Sequence, residues 1–226
     1  MIPGSMQKLE TALLSIAYLP SVQYITKFLA HERVYIEMHE NFQKQSYRNR
    51  CVIYGANGPL TLVIPVNKKR GRKNIITDIR IDYDKDWQNI HWKSLVSAYQ
   101  NSPFFQFYKD ELNQLLFKRE KFLVDFNLNL LNHINRLLNL NETYSLSKDY
   151  LSDSEVQDYR QSINPKKRLQ RPDSSFQPVK YQQVFNEKFG FIPNLSVVDL
   201  IFNEGPNSHH ILEASIKKGT DLFSAQ

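Results

Sequence analysis

The apolar positions along the chain change period part-way. Early runs are short and strand-like, and later ones follow helical spacing. "ALLSIAYLP" (Ala12 to Pro20) is an apolar run of strand length closed by proline. Ser21 is placed to cap a helix over "SVQYITKFLAH", where Val22, Ile25, Phe28 and Leu29 recur at helical spacing. "RVYIEM" returns to β-branched and aromatic residues and reads as a strand. Two apolar runs in "CVIYGANGPLTLVIPV" flank Asn57-Gly58, which predicts a β-hairpin over 51–66. "DIRIDY" alternates and predicts one more strand.

From Trp87 onward the helical period dominates. "WQNIHWKSLVSAYQNS" places Ile90, Leu95, Val96 and Tyr99 near one face and stops before Pro103. Leucines and phenylalanines then recur at three, four and seven from Leu112 to Leu138, so residues 88–139 form a long amphipathic helical region. One unbroken helix of about 35 residues would run about 50 Å at 1.5 Å per residue. That exceeds the width of a domain this size, and a break near Asp125 to Asn127 is expected. "TYSLSKDYL" reads as a further strand. Residues 152–177 lose apolar periodicity and carry two prolines, with a third following at Pro178, which suggests a mobile polar loop. "VKYQQVFNEKF" and "NLSVVDLIF" predict two late helices about a glycine turn. Strands first and helices later give an α+β class, with a mixed or antiparallel sheet and helices packed on it. The expected organisation is one domain over 1–213 and a tail over 214–226.

One stretch fits neither core nor ordinary loop. In "MHENFQKQSYRNRCVIYG" the residues from Glu40 to Arg50 are nearly all hydrogen-bonding, with no glycine or proline to build a turn. Two arginines two apart on an extended strand face the same way, so Arg48 and Arg50 make a fork for phosphate or carboxylate, with Asn49 on the other face. The competing reading is a structural ion-pair network of Glu40 with Lys44 or an arginine. Lys44, Gln45 and Tyr47 complete the candidate binding set. His39 and Glu40 are the candidate bases, and His91, between Trp87 and Trp92 in "WQNIHW", is a third.

Composition narrows the field. The net charge is +6, and much of the excess sits in "NKKRGRK" (Asn67 to Lys73). That run is either a solvated loop or an anion site. A basic chain suits nucleic acid, but it equally suits phosphorylated or nucleotide-linked substrates. No aromatics interleave the run, so nucleic acid is the weaker reading. The single cysteine, Cys51, excludes an intrachain disulfide and a cysteine metal cage, and points to a reducing cytoplasmic location. No apolar run reaches membrane-spanning length. Walker, dinucleotide, HExxH and GxSxG motifs are missing, the histidine spacing fits no metal signature, and no cofactor is legible.

"KQSYRNR" followed by a strand, a glycine-containing hairpin and "PV" resembles the WbqC-like family. So, in matching order, do "YLPSVQYITKFL", "AYQNSPFF", "FLVDFNLNLL" and "GFIPNLSVVDLIFNEGP". The ordered set covers Leu14 to Pro206 and is closest to the branch found in Bacteroidetes-type bacteria. Members occur among genes for O-antigen and other surface polysaccharides. The resemblance therefore implies acyl or aminoacyl transfer to a nucleotide-linked amino sugar, with Tyr47, Arg48, Asn49 and Arg50 matching the family's aromatic- and RN-rich strand. The same resemblance aligns Pro20 and Tyr24 with the opening, and Ser102 to Phe105 with the helix break. Many relatives carry paired acids where this chain has His39-Glu40-Asn41, so only Glu40 is kept and His39 is the natural substitute base. The implied partner is a nucleotide-linked sugar or other anionic small molecule, and a homo-oligomer or a non-catalytic scaffold role is compatible with the pattern.

Overall fold

The computed structural model describes residues 9–68, 73–140, 144–151 and 156–217. Strand β1 (Leu9–Ser15) leads through helix α1 (Val22–Ala30) to strand β2 (His31–Glu37). Because a helix intervenes, β2 returns parallel to β1, with Leu9 opposite His31 and Ser15 opposite Glu37. Ser21 caps α1 through its hydroxyl, which accepts from the Tyr24 amide at 3.4 Å. Val22, Ile25 and Phe28 are buried as their spacing requires, each contributing about 1.5–3 kcal/mol of burial.

The hairpin forms from β3 (Arg50–Gly55) and β4 (Gly58–Val63), with Gly55 opposite Gly58. Its loop is Ala56-Asn57, one residue earlier than the sequence suggests. Gly58 itself opens β4 at φ 103°, a conformation side chains resist. A short ribbon follows, β5 (Val66–Asn67) against β6 (Arg80–Ile81). Then come α2 (Trp87–Tyr99), α3 (Phe105–Phe117) and α4 (Leu123–Leu137). The long helical region therefore breaks at 118–122, not at 125–127. Ile81 and Leu123 explain the position: their amides bond to the Lys121 and Ile79 carbonyls, pinning this connection to the ribbon.

Two-residue strands β7 (Ser145–Leu146) and β8 (Gln157–Asp158) join β2 and β1, giving a four-stranded sheet in the order β7-β2-β1-β8. All three pairings are parallel. The α+β class holds, but among the described strands antiparallel ladders are confined to the hairpin and the ribbon, because the sheet strands are joined by crossovers. The segment expected to be a mobile loop is built into the fold from Val156 on. β8 lies in it, Tyr159, Arg160 and Asn164 are buried, and 152–155 lie outside the described residues. The chain closes with α5 (Asn186–Phe189), α6 (Val197–Glu204) and α7 (Ser208–Ala214). The first late helix is thus a single turn. Most of the expected tail, 218–226, lies outside the described residues; Ile216 within it bridges to Phe176. Backbone bonds from Ser196 to Val52 and from Val197 to Pro20 dock α6 onto both the hairpin and the β1–α1 turn. No helix among the described residues is long and apolar enough to cross a membrane.

Candidate functional site

The carboxyl ends of the parallel strands collect buried charge. β1 ends on Ser15 and β2 on Glu37, and Ser147 follows β7 while Tyr159 and Arg160 follow β8. The polar stretch folds back over this end. Glu40 is 6 % exposed and Arg48 2 %. Arg48 Nε donates to Glu40 Oε1 at 2.8 Å, and Nη2 donates to Oε2 and, at 2.6 Å, to Ser15 Oγ. Ser15 Oγ donates in turn to Glu40 Oε2 at 3.0 Å, and Tyr24 Oη donates to the Ser15 carbonyl at 3.0 Å. A guanidinium and a carboxylate meeting edge to edge is the strongest geometry such a pair has.

A second buried cluster sits beside it. Arg160 donates bidentately to Asp158 at 2.9 and 2.8 Å and reaches Glu37 at 3.3 Å. Glu37, fully buried, also accepts from Ser147 Oγ at 2.8 Å and from the His39 and Leu151 amides at 2.8 and 3.0 Å. Burial works against the Arg160 charge, but Asp158 outweighs it and its pKa is raised. The Arg160 guanidinium stacks 4.8 Å over the ring of Tyr150, which is 61 % exposed.

Between the two clusters runs a crevice lined by Ser15, Tyr24, Tyr47, Arg48, Tyr159 and Arg160, with a volume of about 10 Å³. That is room for about one water. Burial pushes the Tyr47 hydroxyl up to about 12, so it enters the crevice as a neutral donor.

The polar stretch thus divides. Glu40, Tyr47 and Arg48 converge on the crevice. His39 is exposed at the same edge, between Glu37 and Glu40. Lys44 and Gln45 are exposed on the turn, where Gln45 takes φ 59° and so supplies the reversal without glycine. Asn49 instead donates its amide to the Ile64 carbonyl at 2.8 Å, tying the stretch to the hairpin end. Arg50 begins β3 half-buried, opposite Val63, and does not form a fork with Arg48. His91 packs in the aromatic core against Trp87, its Nδ1 2.9 Å from Tyr18 Oη. Burial lowers its pKa to about 4, so it is neutral at pH 7. Cys51 is buried with its thiol pushed up, and is unreactive as a nucleophile.

The sequence reading missed Ser15, Glu37, Tyr150, Asp158 and Arg160. The only signal in the chain was a carboxylate ending an apolar strand, "RVYIEM". A roomier groove, about 630 Å³, lies between α3 and α4 and includes Glu111, His133 and Arg136. Among the described residues no three His, Cys, Asp or Glu side chains gather as a metal-ligand set.

The sequence profile of the WbqC-like protein family matches residues 17–173, more than half of the chain. The chain belongs to the WbqC-like protein family. This match spans β2, the polar stretch, the hairpin and β8, and therefore every residue of both charge clusters except Ser15. The family is associated with polysaccharide, O-antigen-type functions. No curated protein and no solved structure matches the chain.

Proposed function

We propose that this WbqC-like protein acts in bacterial surface-polysaccharide biosynthesis, transferring an acyl or aminoacyl group to the amine of a nucleotide-linked sugar. The observation that carries this reading is the crevice at the carboxyl ends of β1 and β8. Open α/β sheets bind ligands at that end, and here β1 connects to β2 on one side while β8 flanks it on the other.

In such a transfer the sugar nitrogen bonds to the acyl carbon, and the donor's leaving group departs with the electron pair of the bond it loses. A base must take the ammonium proton. Both Glu40 oxygens are already engaged by Arg48 and Ser15. The exposed His39 imidazole is therefore the base in this scheme, and the Glu40–Arg48 pair positions the wall of the site. Tyr150, flat and exposed over Arg160, is the stacking platform for the sugar or base. The crevice has room for about one water, so in this scheme the sugar sits at its mouth, beside the half-buried Tyr47.

A thermal-shift screen of uridine-, thymidine- and guanosine-diphosphate-linked sugars tests the reading. A ligand at a hundred times its Kd stabilises by about 2.7 kcal/mol. A shift with an amino sugar conjugate, lost in Tyr150→Ala and kept in His39→Ala, supports it. A second reading, a non-catalytic interaction protein, is favoured by the complete pairing of Arg48 with Glu40. Silence across the panel would leave that reading standing and remove the first.

A further inference from the structure

The back of the polar stretch faces a second concavity. The Glu40 carbonyl accepts from the Ile76 amide at 2.9 Å, the Phe42 amide donates to the Asn74 carbonyl at 2.8 Å, and Asn41 bridges Ile75. These bonds hold residues 73–76 alongside the segment that carries the crevice carboxylate. Beside them, around the β5–β6 ribbon, is a notch of about 250 Å³ lined by Asn67, Lys68, Lys73, Asn74, Asp78 and Arg80. Three cations there face one carboxylate.

Their surroundings among the described residues leave this charge without an ion-pair partner. Among the described residues neither Lys68, Lys73 nor Arg80 has a carboxylate within ion-pair distance. Lys68 Nζ lies 4.4 Å over the Phe42 ring, and Arg80 lies 5.9 Å over Phe122. Burial, with a smaller contribution from the nearby Lys44, lowers the Lys68 pKa. Paired Asn67 and Arg80 in the ribbon fix the floor, so the cations are presented from ordered backbone. The volume is below the 300–1,000 Å³ or so of pockets for whole drug-sized ligands. It suits one compact anion.

We propose that this notch is a diphosphate-binding site, in which Lys68, Lys73 and Arg80, with the Asn67 amide, hold the pyrophosphate of a nucleotide-linked sugar. This rests on the functional reading above for the identity of the ligand, and moves the anion-binding role away from Arg48, whose donors face Glu40 and Ser15. The Glu40–Phe42 segment links the two sites: Glu40 carries the crevice carboxylate, and the Phe42 ring lies under the Lys68 ammonium of the notch.

Isothermal titration with inorganic pyrophosphate and with a uridine-diphosphate-linked amino sugar tests it. Comparison is between the wild type, Lys68→Ala/Arg80→Ala and Asp78→Asn. Removing both cations weakens pyrophosphate binding about a hundredfold, about tenfold for each charge-assisted contact. Asp78→Asn removes the one opposing charge and tightens binding, a gain that a misfolded variant would not show. If pyrophosphate binds with this dependence and no nucleotide-linked sugar binds, the notch stands and the functional reading falls. Should the sugar conjugate bind the wild type and the double variant equally, the notch is overturned and the functional reading survives. Absence of pyrophosphate binding also overturns the notch. So does displacement of pyrophosphate by short duplex DNA with a steep salt dependence, which would mark a polyanion surface.

Discussion

Replacing Glu40 by Gln tests the buried pair that shapes the crevice. The substitution keeps size and shape, but it leaves the Arg48 guanidinium, 2 % exposed, without a counter-charge. It also turns an amide NH₂ toward the Arg48 and Ser15 donors that Glu40 now accepts from at 2.8 and 3.0 Å. Removing one partner of a buried ion pair costs about 3–5 kcal/mol, because the remaining charge stays desolvated. Glu40→Gln is therefore expected to lose about 4 kcal/mol in urea unfolding followed by circular dichroism, with an unchanged m-value. The double variant Glu40→Leu/Arg48→Met removes both charges, and such replacements are often close to neutral. It should recover most of the loss, leaving a coupling of several kcal/mol in the cycle. A cost below about 1 kcal/mol for Glu40→Gln, the worth of a solvent-exposed pair, would refute the reasoning. It would mean that water reaches Arg48.

Asp199 is fully buried on α6 and accepts from Tyr181 Oη at 2.7 Å and Gln183 Nε2 at 3.0 Å, and burial raises its pKa to about 6. A carboxyl raised in the folded state favours folding while protonated, so its contribution is present below about pH 4 and is lost as pH rises through 6. Asp199→Asn should therefore gain on the wild type by up to about 3 kcal/mol between pH 4 and 8. Groups common to both proteins cancel in that difference, and a pH-independent difference would show that Asp199 carries no such penalty. Gly205 sits at φ 53°, and a Cβ there would overlap the Phe104 ring. Gly205→Ala should cost about 3 kcal/mol and about 10 °C in Tm by calorimetry; a change under 2 °C would mean that the ring yields freely. Gln45→Gly relieves the left-handed φ of 59° and should stabilise by about 1 kcal/mol in chemical unfolding, with destabilisation showing that the Gln45 side chain holds the turn.

The legible parts of this fold were those with a local signal. The Ser21 cap and the Val22, Ile25, Phe28 spacing located α1, and Asn57-Gly58 located the hairpin to within one residue. The sheet was less legible, because its parallel pairing is set by a single crossover and by two strands of two residues each. Gln157-Asp158 and Ser145-Leu146 have no periodicity to read. Half of the charged site was hidden for the same reason. Arg160 lies in a proline-containing polar segment, and only its place after β8 turns it toward Glu37. The Arg48–Arg50 fork failed because Arg48 precedes the strand, so alternation does not apply to it. For His91 the tryptophan at its side was legible, and the depth of the core around it was not.

The central claim is that the carboxyl ends of the sheet form the ligand site. The most direct measurement is a nuclear magnetic resonance titration of ¹⁵N-labelled protein with a uridine-diphosphate-linked amino sugar, following backbone amide shifts. The account predicts saturable shifts at Ser15 to Ala17, Glu37 to Glu40, Tyr150, Leu151, Tyr159 and Arg160. Saturable shifts confined to the groove between α3 and α4, or none at the sheet ends, would contradict it.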